Sequence, residues 1–341
     1  MILVKTPFRI SFVGGGSDLP SFYTRHSGAV VSTTIDKFMY IAIHPYFHNK
    51  IRVKYSRTED VETVAEIRHP LVRECLKFQK IEQGMEVASF ADIPAGTGMG
   101  SSSAFTVCLL HALYTLRSKP VTPEQLASQA CFIEIERAGE QVGKQDQYAA
   151  AYGGLNYIRF NQDRTVAVEA VDCSPRTMEE LQRHLMLFYI GRERQASSIL
   201  SEQSRNMNNR EKYEHVVQMA ELASKLRNAL EEGEIAAVGD ILHEGWILKS
   251  TLATGISNPV VDQYYHLARG AGATGGKLLG AGGGGFMLIF CIPERQSAVR
   301  EALDDLREMS FAMSQQGSTV IYDDCLNSSI LARAEAALAQ P

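Results

Sequence analysis

The chain has 341 residues, of which 45% are hydrophobic, and its 34 basic and 39 acidic side chains give a net charge of −5 at pH 7. A chain of this length exceeds one typical domain and can bury a large core, so it predicts two lobes with a cleft between them. Because the basic residues are scattered rather than gathered into a stripe, the composition argues against a nucleic-acid partner.

The first half of the chain predicts a sheet-rich lobe. It begins with a strand-like Ile2-Leu3-Val4 that is followed directly by Lys5, so it lacks the apolar stretch of a secretory signal. No later apolar run has the length of a membrane span. β-Branched and aromatic residues indicate strands at residues 10–13, 29–35, 39–43 and 51–55. We therefore expect a soluble cytoplasmic protein with no membrane partner.

A first glycine cluster follows the strand that carries Arg9. It reads Gly14-Gly15-Gly16-Ser17-Asp18. Glycines leave the backbone unshielded, which is typical of a turn that must come very close to a ligand. Without further context, Asp18 would be interpreted as a turn residue.

A second glycine cluster is the most informative motif. Residues 94–104 read Pro-Ala-Gly-Thr-Gly-Met-Gly-Ser-Ser-Ser-Ala and run into an apolar, helical pattern. Glycines at alternate positions expose backbone N–H groups, and the helix directs its partial positive end at the same place. The motif therefore predicts a phosphate-binding loop. A tight turn before a core helix is the simpler alternative, but it accounts poorly for three glycines and three serines.

A second helix is predicted over residues 122–137. Thr122 is its N-cap, Pro123 takes the first turn and Gln125 completes a capping box. Glu134 and Glu136 in this helix differ in direction by about 200°, so only one of them can face a cleft. Because apolar residues surround Glu134, a buried position is favoured over a solvated one.

Asp146 allows two interpretations. It follows Gly143-Lys144-Gln145 and precedes a run of small residues. An acid at such a position is either a helix N-cap or a placed catalytic group, and the residues alone do not decide between them. We place the boundary between the lobes shortly afterwards, in a polar segment near residues 172–180.

The second half alternates long helical patterns with one buried strand. Helices are predicted over residues 210–232 and 235–252, and a third is capped by Asn258 and starts at Pro259. A glycine-rich stretch, residues 280–285, leads into a strand over residues 286–291. A helix then runs from Pro293 to about Met309, and an alanine-rich helix is expected over residues 330–340.

The common nucleotide-binding motifs are excluded. Gly280, Gly282 and Gly285 match the spacing of the dinucleotide fingerprint, but that fingerprint requires a helix after the glycines and here a strand follows. Neither Gly143-Lys144 nor Gly276-Lys277 is followed by Ser or Thr, which removes a Walker-type loop. The H-R-D and D-F-G motifs of protein kinases are also missing.

Three motifs together resemble a known family. Residues 7–18, 94–104 and 277–286 are similar to the three ordered motifs of the GHMP small-molecule kinases, and the similarity spans nearly the whole chain. Within that superfamily, residues 14–18, 143–148 and 191–197 most resemble the D-glycero-D-manno-heptose 7-phosphate kinases. Related fucokinase domains share much of this pattern.

The resemblance implies a fold and an activity. It implies a two-lobed α+β fold with a sheet-rich lobe like ribosomal protein S5 domain 2 over residues 1–175. An α/β lobe would follow over residues 176–341, with the active site between the two. The activity would be ATP-dependent, Mg²⁺-assisted phosphorylation of the anomeric hydroxyl of D-glycero-D-manno-heptose 7-phosphate, for nucleotide-activated heptose synthesis. The partners would be ATP and a sugar phosphate, and a homodimer is left open.

The resemblance also implies site residues. Asp146 would accept or orient the substrate hydroxyl proton, and Arg9 beside it would offset phosphate charge. ATP would contact Pro94, Gly96, Thr97, Gly98, Met99, Gly100, Ser101, Ser102 and Ser103. Mg²⁺ would be bound by Ser102 and Glu134. Ser101 or Ser103 replaces Ser102 if the register slips, and Glu136 is the alternative carboxylate.

The substrate would contact the first glycine cluster, the third motif and three cationic side chains. These residues are Gly14, Gly15, Gly16, Ser17, Asp18, Lys144, Arg194, Lys277, Gly283 and Gly284. Asp18 would accept sugar hydroxyls. Lys144, Arg194 and Lys277 are the candidates for a phosphate on the substrate itself, although each alone is more often a surface charge.

Three other functions stay open. A kinase of the same family could act on an unphosphorylated hexose such as L-fucose, and a binding protein could retain the fold without turnover. A redox enzyme is disfavoured by the failed fingerprint. The six cysteines form no C-x-x-C and the histidines show no metal spacing, so zinc is not implied and the thiols are expected to be reduced and buried.

Overall fold

A computed structural model describes residues 1–191 and 196–324. The first half of the chain builds a mixed sheet in which β2 pairs antiparallel with β1, β5 and β6, and β3 pairs parallel with β5. The strands are β1 (Ile2–Val13), β2 (Gly28–Pro45), β3 (Ile51–Lys54), β4 (Thr58–Val61), β5 (Met85–Ala91), β6 (Leu155–Phe160) and β7 (Val166–Ala170).

Helices cover this sheet and supply its core. They are α1 (Pro20–Tyr23), α2 (Pro70–Phe78), α3 (Ser101–Leu116), α4 (Pro123–Cys131) and α5 (Gln145–Tyr152). α3 is apolar over most of its circumference and is almost entirely buried, as expected for a helix at the centre of a core. α4 begins with the predicted capping box and continues to Arg137, but its last part, Phe132–Arg137, is a π-helical turn.

The second half forms a smaller sheet with its own helices and core. Its strands, in spatial order β11-β8-β10-β9, are β8 (Leu185–Gly191), β9 (Gly275–Leu278), β10 (Gly285–Phe290) and β11 (Arg307–Glu308). Its helices are α6 (Pro175–His184), α7 (Ala196–Asn206), α8 (Arg210–Glu232), α9 (Ile235–Ser250), α10 (Pro259–Gly270) and α11 (Gln296–Ala302). Trp246, Met219 and Phe188 lie in the core between them.

Most predicted elements of the second half are confirmed. α8 has the predicted bounds, and the Asn258 side chain accepts hydrogen bonds from the first turn of α10. The predicted helix from Pro293 to Met309 is too long, because residues 307–308 pair with β8 instead. Residues 29–35 and 39–43, predicted as two strands, belong to the single strand β2. The alanine-rich segment 330–340 lies outside the described residues.

The first sheet is completed by the far end of the described chain. β12 (Met313–Ser314) pairs with β2, and β13 (Thr319–Asp323) pairs antiparallel with β1. The α+β class and the two sheets are as predicted. A division at residues 175 and 176 stays a prediction, and it does not account for these two strands.

The cysteine thiols are free in the part of the chain that the structure describes. Cys75, Cys108, Cys131 and Cys291 are buried, whereas Cys173 is half-buried. Cys325 lies outside the described residues. Across residues 1–191 and 196–324, we find no helix with the length and apolar character needed to cross a bilayer.

Candidate active site

The predicted phosphate loop lines a cleft with its glycines and serines. Gly96, Gly98 and Gly100 all have positive φ angles of 76° to 82°, and they line the cleft together with residues 101–103 at the start of α3. The side chains of Thr97 and Met99 are fully buried. Pro94, Thr97 and Met99, which were predicted to contact ATP, do not line the cleft. Thr97 Oγ1 instead donates to the Pro94 carbonyl oxygen at 2.9 Å, within the loop.

The third motif packs against this loop through backbone atoms. A Cβ added to Gly98 would lie 2.5 Å from the Leu279 carbonyl oxygen, and one added to Gly280 would lie 2.4 Å from the Gly98 Cα. Thr97 O also accepts a hydrogen bond from Phe286 N at 3.3 Å. The glycines of residues 280–285 form the turn between β9 and β10, so the match to a dinucleotide fingerprint is spurious, as the sequence indicated.

Arg9 and Asp146 form a bidentate ion pair beside the loop. Arg9 Nε donates to Asp146 Oδ1 at 2.7 Å, and Arg9 Nη2 donates to Asp146 Oδ2 at 2.8 Å. Arg9 Nη1 donates to the Gly98 carbonyl oxygen at 2.6 Å, which ties the pair to the phosphate loop. The Asp146 side chain is 25% exposed and that of Arg9 only 4%, so a ligand in the cleft reaches the carboxylate.

The geometry decides between the two interpretations of Asp146. α5 begins at Gln145, and Lys144 is the residue before it, without a side-chain cap. Asp146 lies inside the first turn, and its side chain is bonded to Arg9 instead of to the helix N–H groups. The N-cap interpretation is therefore wrong.

Glu134 is a buried carboxylate at the end of the phosphate loop. Its side chain is fully buried, and Oε2 accepts a hydrogen bond from Ser103 Oγ at 2.9 Å. Oε1 has no hydrogen-bond partner in the part of the chain that the structure describes. Burial is the main cause that raises the pKa of Glu134 to about 8, and the Asp146 charge raises it further. Glu136 is exposed, so the alternative carboxylate is excluded.

These residues fit a bound magnesium ion. A buried carboxylate oxygen without a partner, beside serine hydroxyls and a phosphate loop, is the hard-oxygen environment that Mg²⁺ prefers. Ser103 is the hydroxyl that reaches Glu134, whereas Ser102 is exposed in the cleft lining. Within residues 1–191 and 196–324 no three His, Cys, Asp or Glu side chains gather into a metal cage. Nucleotide phosphates would therefore have to supply further ligands.

Asp18 is a second buried carboxylate among the residues that line the cleft. Its carboxylate accepts from Gly16 N at 2.9 Å and Gln145 N at 3.3 Å. Burial raises the pKa of Asp18, and the nearby Asp146 charge adds to this. A Cβ at Gly143 would lie 1.9 Å from Asp18 Oδ2, so Gly143 must be glycine for Asp18 to occupy its position.

The first glycine cluster divides into supporting and lining residues. Gly15, Gly16 and Asp18 line the cleft. Ser17 Oγ instead bonds both backbone groups of Ala29, and a Cβ at Gly14 would lie 1.9 Å from the Ala29 carbonyl oxygen. The prediction that Gly14 and Ser17 contact substrate is therefore corrected, because both hold the turn against β2.

The structure does not bring the predicted phosphate-binding lysines to the cleft lining. Lys144 Nζ donates to the Arg164 carbonyl oxygen at 2.8 Å and lies over the Tyr23 ring. Lys277 is buried, and its Nζ donates to the carbonyl oxygens of Ser11 and Phe12, both at 2.8 Å. Each lysine is thus committed to a backbone contact. Arg194 lies outside the described residues.

Of the two glycines predicted from the third motif, Gly284 lines the cleft and Gly283 does not. Gly283 N donates to the Ile256 carbonyl oxygen at 3.0 Å, and its own carbonyl oxygen accepts from Asn258 Nδ2 at 3.4 Å. Gly283 therefore anchors the β9–β10 turn to the start of α10.

Four polar side chains in the cleft were missed by the sequence analysis. Ser11 Oγ, Gln145 Oε1 and Gln203 Nε2 are buried and have no hydrogen-bond partner within residues 1–191 and 196–324. Lys249 donates to the Gly280 carbonyl oxygen. Ser11 and Gln145 lie within the motifs at residues 7–18 and 143–148, but the sequence did not identify them as site residues. Gln203 of α7 and Lys249 of α9 lie in none of these motifs. Unpartnered buried polar atoms are costly, and a ligand bearing hydroxyl groups would satisfy them.

Comparison with known families identifies the class of protein. The GHMP kinases N terminal domain matches residues 64–154, and the GHMP kinases C terminal domain matches residues 226–321. The chain belongs to the GHMP kinases and is an ATP-dependent kinase.

Individual relatives extend over most of the chain. A D-glycero-alpha-D-manno-heptose 7-phosphate kinase of Campylobacter jejuni is 27% identical over 314 residues, which cover 89% of this chain and 93% of the relative. A bifunctional fucokinase/GDP-fucose pyrophosphorylase of Arabidopsis thaliana is also 27% identical, but the match covers 31% of that protein and 89% of this chain.

Solved structures share the fold. A D-glycero-D-manno-heptose 1-phosphate kinase from Bacteroides thetaiotaomicron superposes with a TM-score of 0.77 at 24% identity, covering 95% of this chain and all of the other. Lactococcus lactis galactokinase complexed with galactose gives a TM-score of 0.74 at 17% identity, covering 93% and 94%.

Proposed function

We propose that the protein is a sugar kinase that phosphorylates the anomeric hydroxyl of D-glycero-D-manno-heptose 7-phosphate to the 1,7-bisphosphate, for nucleotide-activated heptose synthesis. The observation that carries this proposal is the position of Asp146. Its partly exposed carboxylate is held by Arg9 beside the phosphate loop. The same cleft is lined by buried polar atoms that have no partner among the described residues. The 27% identical heptose 7-phosphate kinase supports the choice of sugar.

In the proposed phosphoryl transfer, the loop, Asp146 and Arg9 have separate roles. The Gly96, Gly98 and Gly100 turns and the start of α3 would hold the ATP phosphates. The anomeric oxygen attacks the γ-phosphorus, a new P–O bond forms, and the bond to the bridging oxygen of ADP breaks. Asp146 orients the attacking hydroxyl and accepts its proton, while Arg9 holds the carboxylate in place.

Magnesium would contribute charge neutralisation. Glu134, with Ser102 or Ser103, would hold Mg²⁺ where the loop meets the nucleotide, and the ion would offset the charge of the β and γ phosphates. The buried Glu134 oxygen without a partner supports this placement.

A substrate panel tests the proposal. ADP release is measured by a coupled assay with D-glycero-D-manno-heptose 7-phosphate, the unphosphorylated heptose, L-fucose and galactose. We expect turnover to be highest with the heptose 7-phosphate. Equal turnover with and without the distal phosphate would contradict the proposed substrate.

A second candidate is a kinase of an unphosphorylated hexose such as L-fucose. One observation favours it: Lys144 and Lys277, two residues predicted to bind a substrate phosphate, are committed to backbone carbonyl groups instead. The Arabidopsis relative with a fucokinase part is consistent with it. The same panel separates the two candidates. A relative without turnover is disfavoured, because Arg9, Glu134 and Asp146 all lie in one cleft.

A further inference from the structure

Lys249 is a buried cation on the second-lobe side of the cleft. It lies near the end of α9, its residue is only 5% exposed, and it lines the same cleft as Asp18 and Asp146. Its Nζ donates to the Gly280 carbonyl oxygen, in the turn that braces the phosphate loop. An ammonium group has three donors, so a single carbonyl partner leaves it incompletely satisfied.

The neighbouring charges do not neutralise Lys249 by direct contact. Asp146 is already paired with Arg9, and Asp18 accepts two backbone N–H groups. Across the described parts of the chain, no carboxylate forms an ion pair with Lys249. A buried cation in this state attracts an anionic ligand, because desolvation strengthens the electrostatic attraction.

Three polar groups converge on the space in front of Gly15. A Cβ placed on Gly15 would lie 3.6 Å from Gln145 Nε2, 3.9 Å from Ser11 Oγ and 4.0 Å from Lys249 Nζ. Gly15 therefore leaves open a small volume that a donor, a hydroxyl and a cation all border. Such a set suits a ligand that combines hydroxyl groups with a phosphate.

We propose that Lys249 is a phosphate-binding residue of the cleft, which binds in this space either the distal phosphate of the acceptor or the terminal phosphoryl group of ATP. This inference rests on the proposed sugar-kinase function. Lys144 and Lys277 were predicted from the sequence to bind a substrate phosphate. The inference assigns this role to Lys249 instead, because Lys249 lines the cleft.

Kinetics of three variants test the role of Lys249. Lys249→Met removes the charge and keeps the length of the side chain, Lys249→Arg keeps the charge, and Lys225→Met makes the same change at an exposed lysine of α8. kcat and both KM values are measured with ATP and each of heptose 7-phosphate and unphosphorylated heptose. Thermal unfolding of each variant controls for folding.

The two phosphate sources give different results. If Lys249 binds the distal phosphate, Lys249→Met raises the KM for heptose 7-phosphate about tenfold or more and leaves the KM for the unphosphorylated heptose unchanged. If it binds the terminal phosphoryl group, turnover falls by the same factor with both acceptors and the KM for ATP rises. In either case Lys249→Arg is less impaired than Lys249→Met, and Lys225→Met matches the wild type.

Two further outcomes are decisive. A folded Lys249→Met variant whose constants all stay within twofold of the wild type overturns the inference. A wild type that releases no ADP with any sugar contradicts the proposed function instead. Calorimetric titration with inorganic pyrophosphate then tests Lys249 separately, since binding equal in wild type and Lys249→Met overturns its assignment as a phosphate-binding residue.

Discussion

At the scale of single residues, the proposed phosphoryl transfer depends on Asp146. Both of its oxygens are bonded to Arg9, yet a quarter of its side chain remains exposed to the cleft. The arrangement separates two tasks, since Arg9 fixes the orientation of the carboxylate and the free lone pairs of Asp146 can accept a proton.

Replacing the Asp146 carboxylate should lower the rate of catalysis strongly and change ATP binding little. We expect Asp146→Asn to lower kcat by about 10²- to 10⁴-fold, because an amide orients a hydroxyl poorly and cannot accept its proton. The dissociation constant for ATP, measured by calorimetry, should stay within a few fold of wild type. Asp172→Asn, at an exposed position, is the control. Unchanged sugar-dependent ADP release in Asp146→Asn would remove this residue from the mechanism.

Gln203 should contribute to acceptor binding only. Its amide is buried, and among the described residues Nε2 has no hydrogen-bond partner. Gln203→Leu should raise the KM for the sugar about three- to tenfold by removing a hydrogen bond, with the KM for ATP unchanged. Gln218→Leu, the same change at an exposed position of α8, should have no effect. A rise in both KM values would instead indicate a general disturbance of the cleft.

Lys249 should impose a pH dependence on substrate binding. The pKa of Lys249 is lowered to about 8, mainly by burial and further by the positive charge of Arg9. The negative charges of Asp18 and Asp146 act in the opposite direction. Lys277 is another cation nearby. The side chain is charged below pH 8 and loses its charge above it. The KM for the substrate whose phosphate Lys249 binds, heptose 7-phosphate or ATP, should therefore rise between pH 8 and 9.5.

The charge-preserving variant checks that assignment. Because a guanidinium stays protonated throughout this range, Lys249→Arg should flatten the rise in KM. A profile of the same shape in Lys249→Arg and in the wild type would assign the titration to another group.

At the scale of structural elements, the turn after β1 combines two kinds of glycine. Gly14 has a φ of +88° and stands against the Ala29 carbonyl oxygen, whereas Gly15 has no positive φ and faces the open space beside Lys249. The backbone requires glycine at position 14, whereas at position 15 glycine keeps open the space in which we propose that the ligand binds.

Paired alanine substitutions should separate these roles. Gly14→Ala should destabilise the protein by at least about 2 kcal/mol, because its methyl group collides with backbone in a strained conformation. Gly15→Ala should fold normally, since its nearest contact is an ordinary 3.6 Å, but should raise the KM for the acceptor. Urea unfolding and acceptor kinetics measure the two effects. A Gly15→Ala variant with normal acceptor kinetics would place the acceptor elsewhere.

Local signals predicted the elements well and the cleft only in part. The caps at Thr122 and Asn258 and the positive-φ glycines of the phosphate loop depend on neighbouring residues, so they are visible in the sequence. Gln203 and Lys249 reach the cleft only because α7 and α9 pack beside the first lobe, and no periodicity encodes that. The prediction that Lys144 and Lys277 reach the cleft was wrong for a related reason. A sequence motif does not specify which partner the ammonium group at the end of a long side chain will contact.

At the scale of the whole molecule, the two halves of the chain are interdependent. β12 and β13 come from beyond residue 310, yet they pair with β2 and β1 of the first sheet. Ile2 and Asp323 are direct partners, and backbone glycines join the phosphate loop to the β9–β10 turn. A cut between residues 175 and 176 would therefore open one edge of the first sheet.

Separating the lobes should expose this dependence. We expect a fragment of residues 1–175 to lack a cooperative urea transition, because β1 loses its partner β13 and the loop loses its support at Gly280. Circular dichroism and urea unfolding measure this, with the full chain as reference. A fragment that unfolds as cooperatively as the full chain would show that the first lobe is complete without β12 and β13.

The pairing of β1 with β13 also bears on synthesis at the ribosome. Ile2 is made more than three hundred residues before its partner Asp323. At translation rates of about 5–20 residues per second, the open edge of β1 waits for tens of seconds. During that interval the nascent chain exposes the unpaired hydrogen-bonding groups of β1, so chaperone protection would matter for this strand until β13 is made.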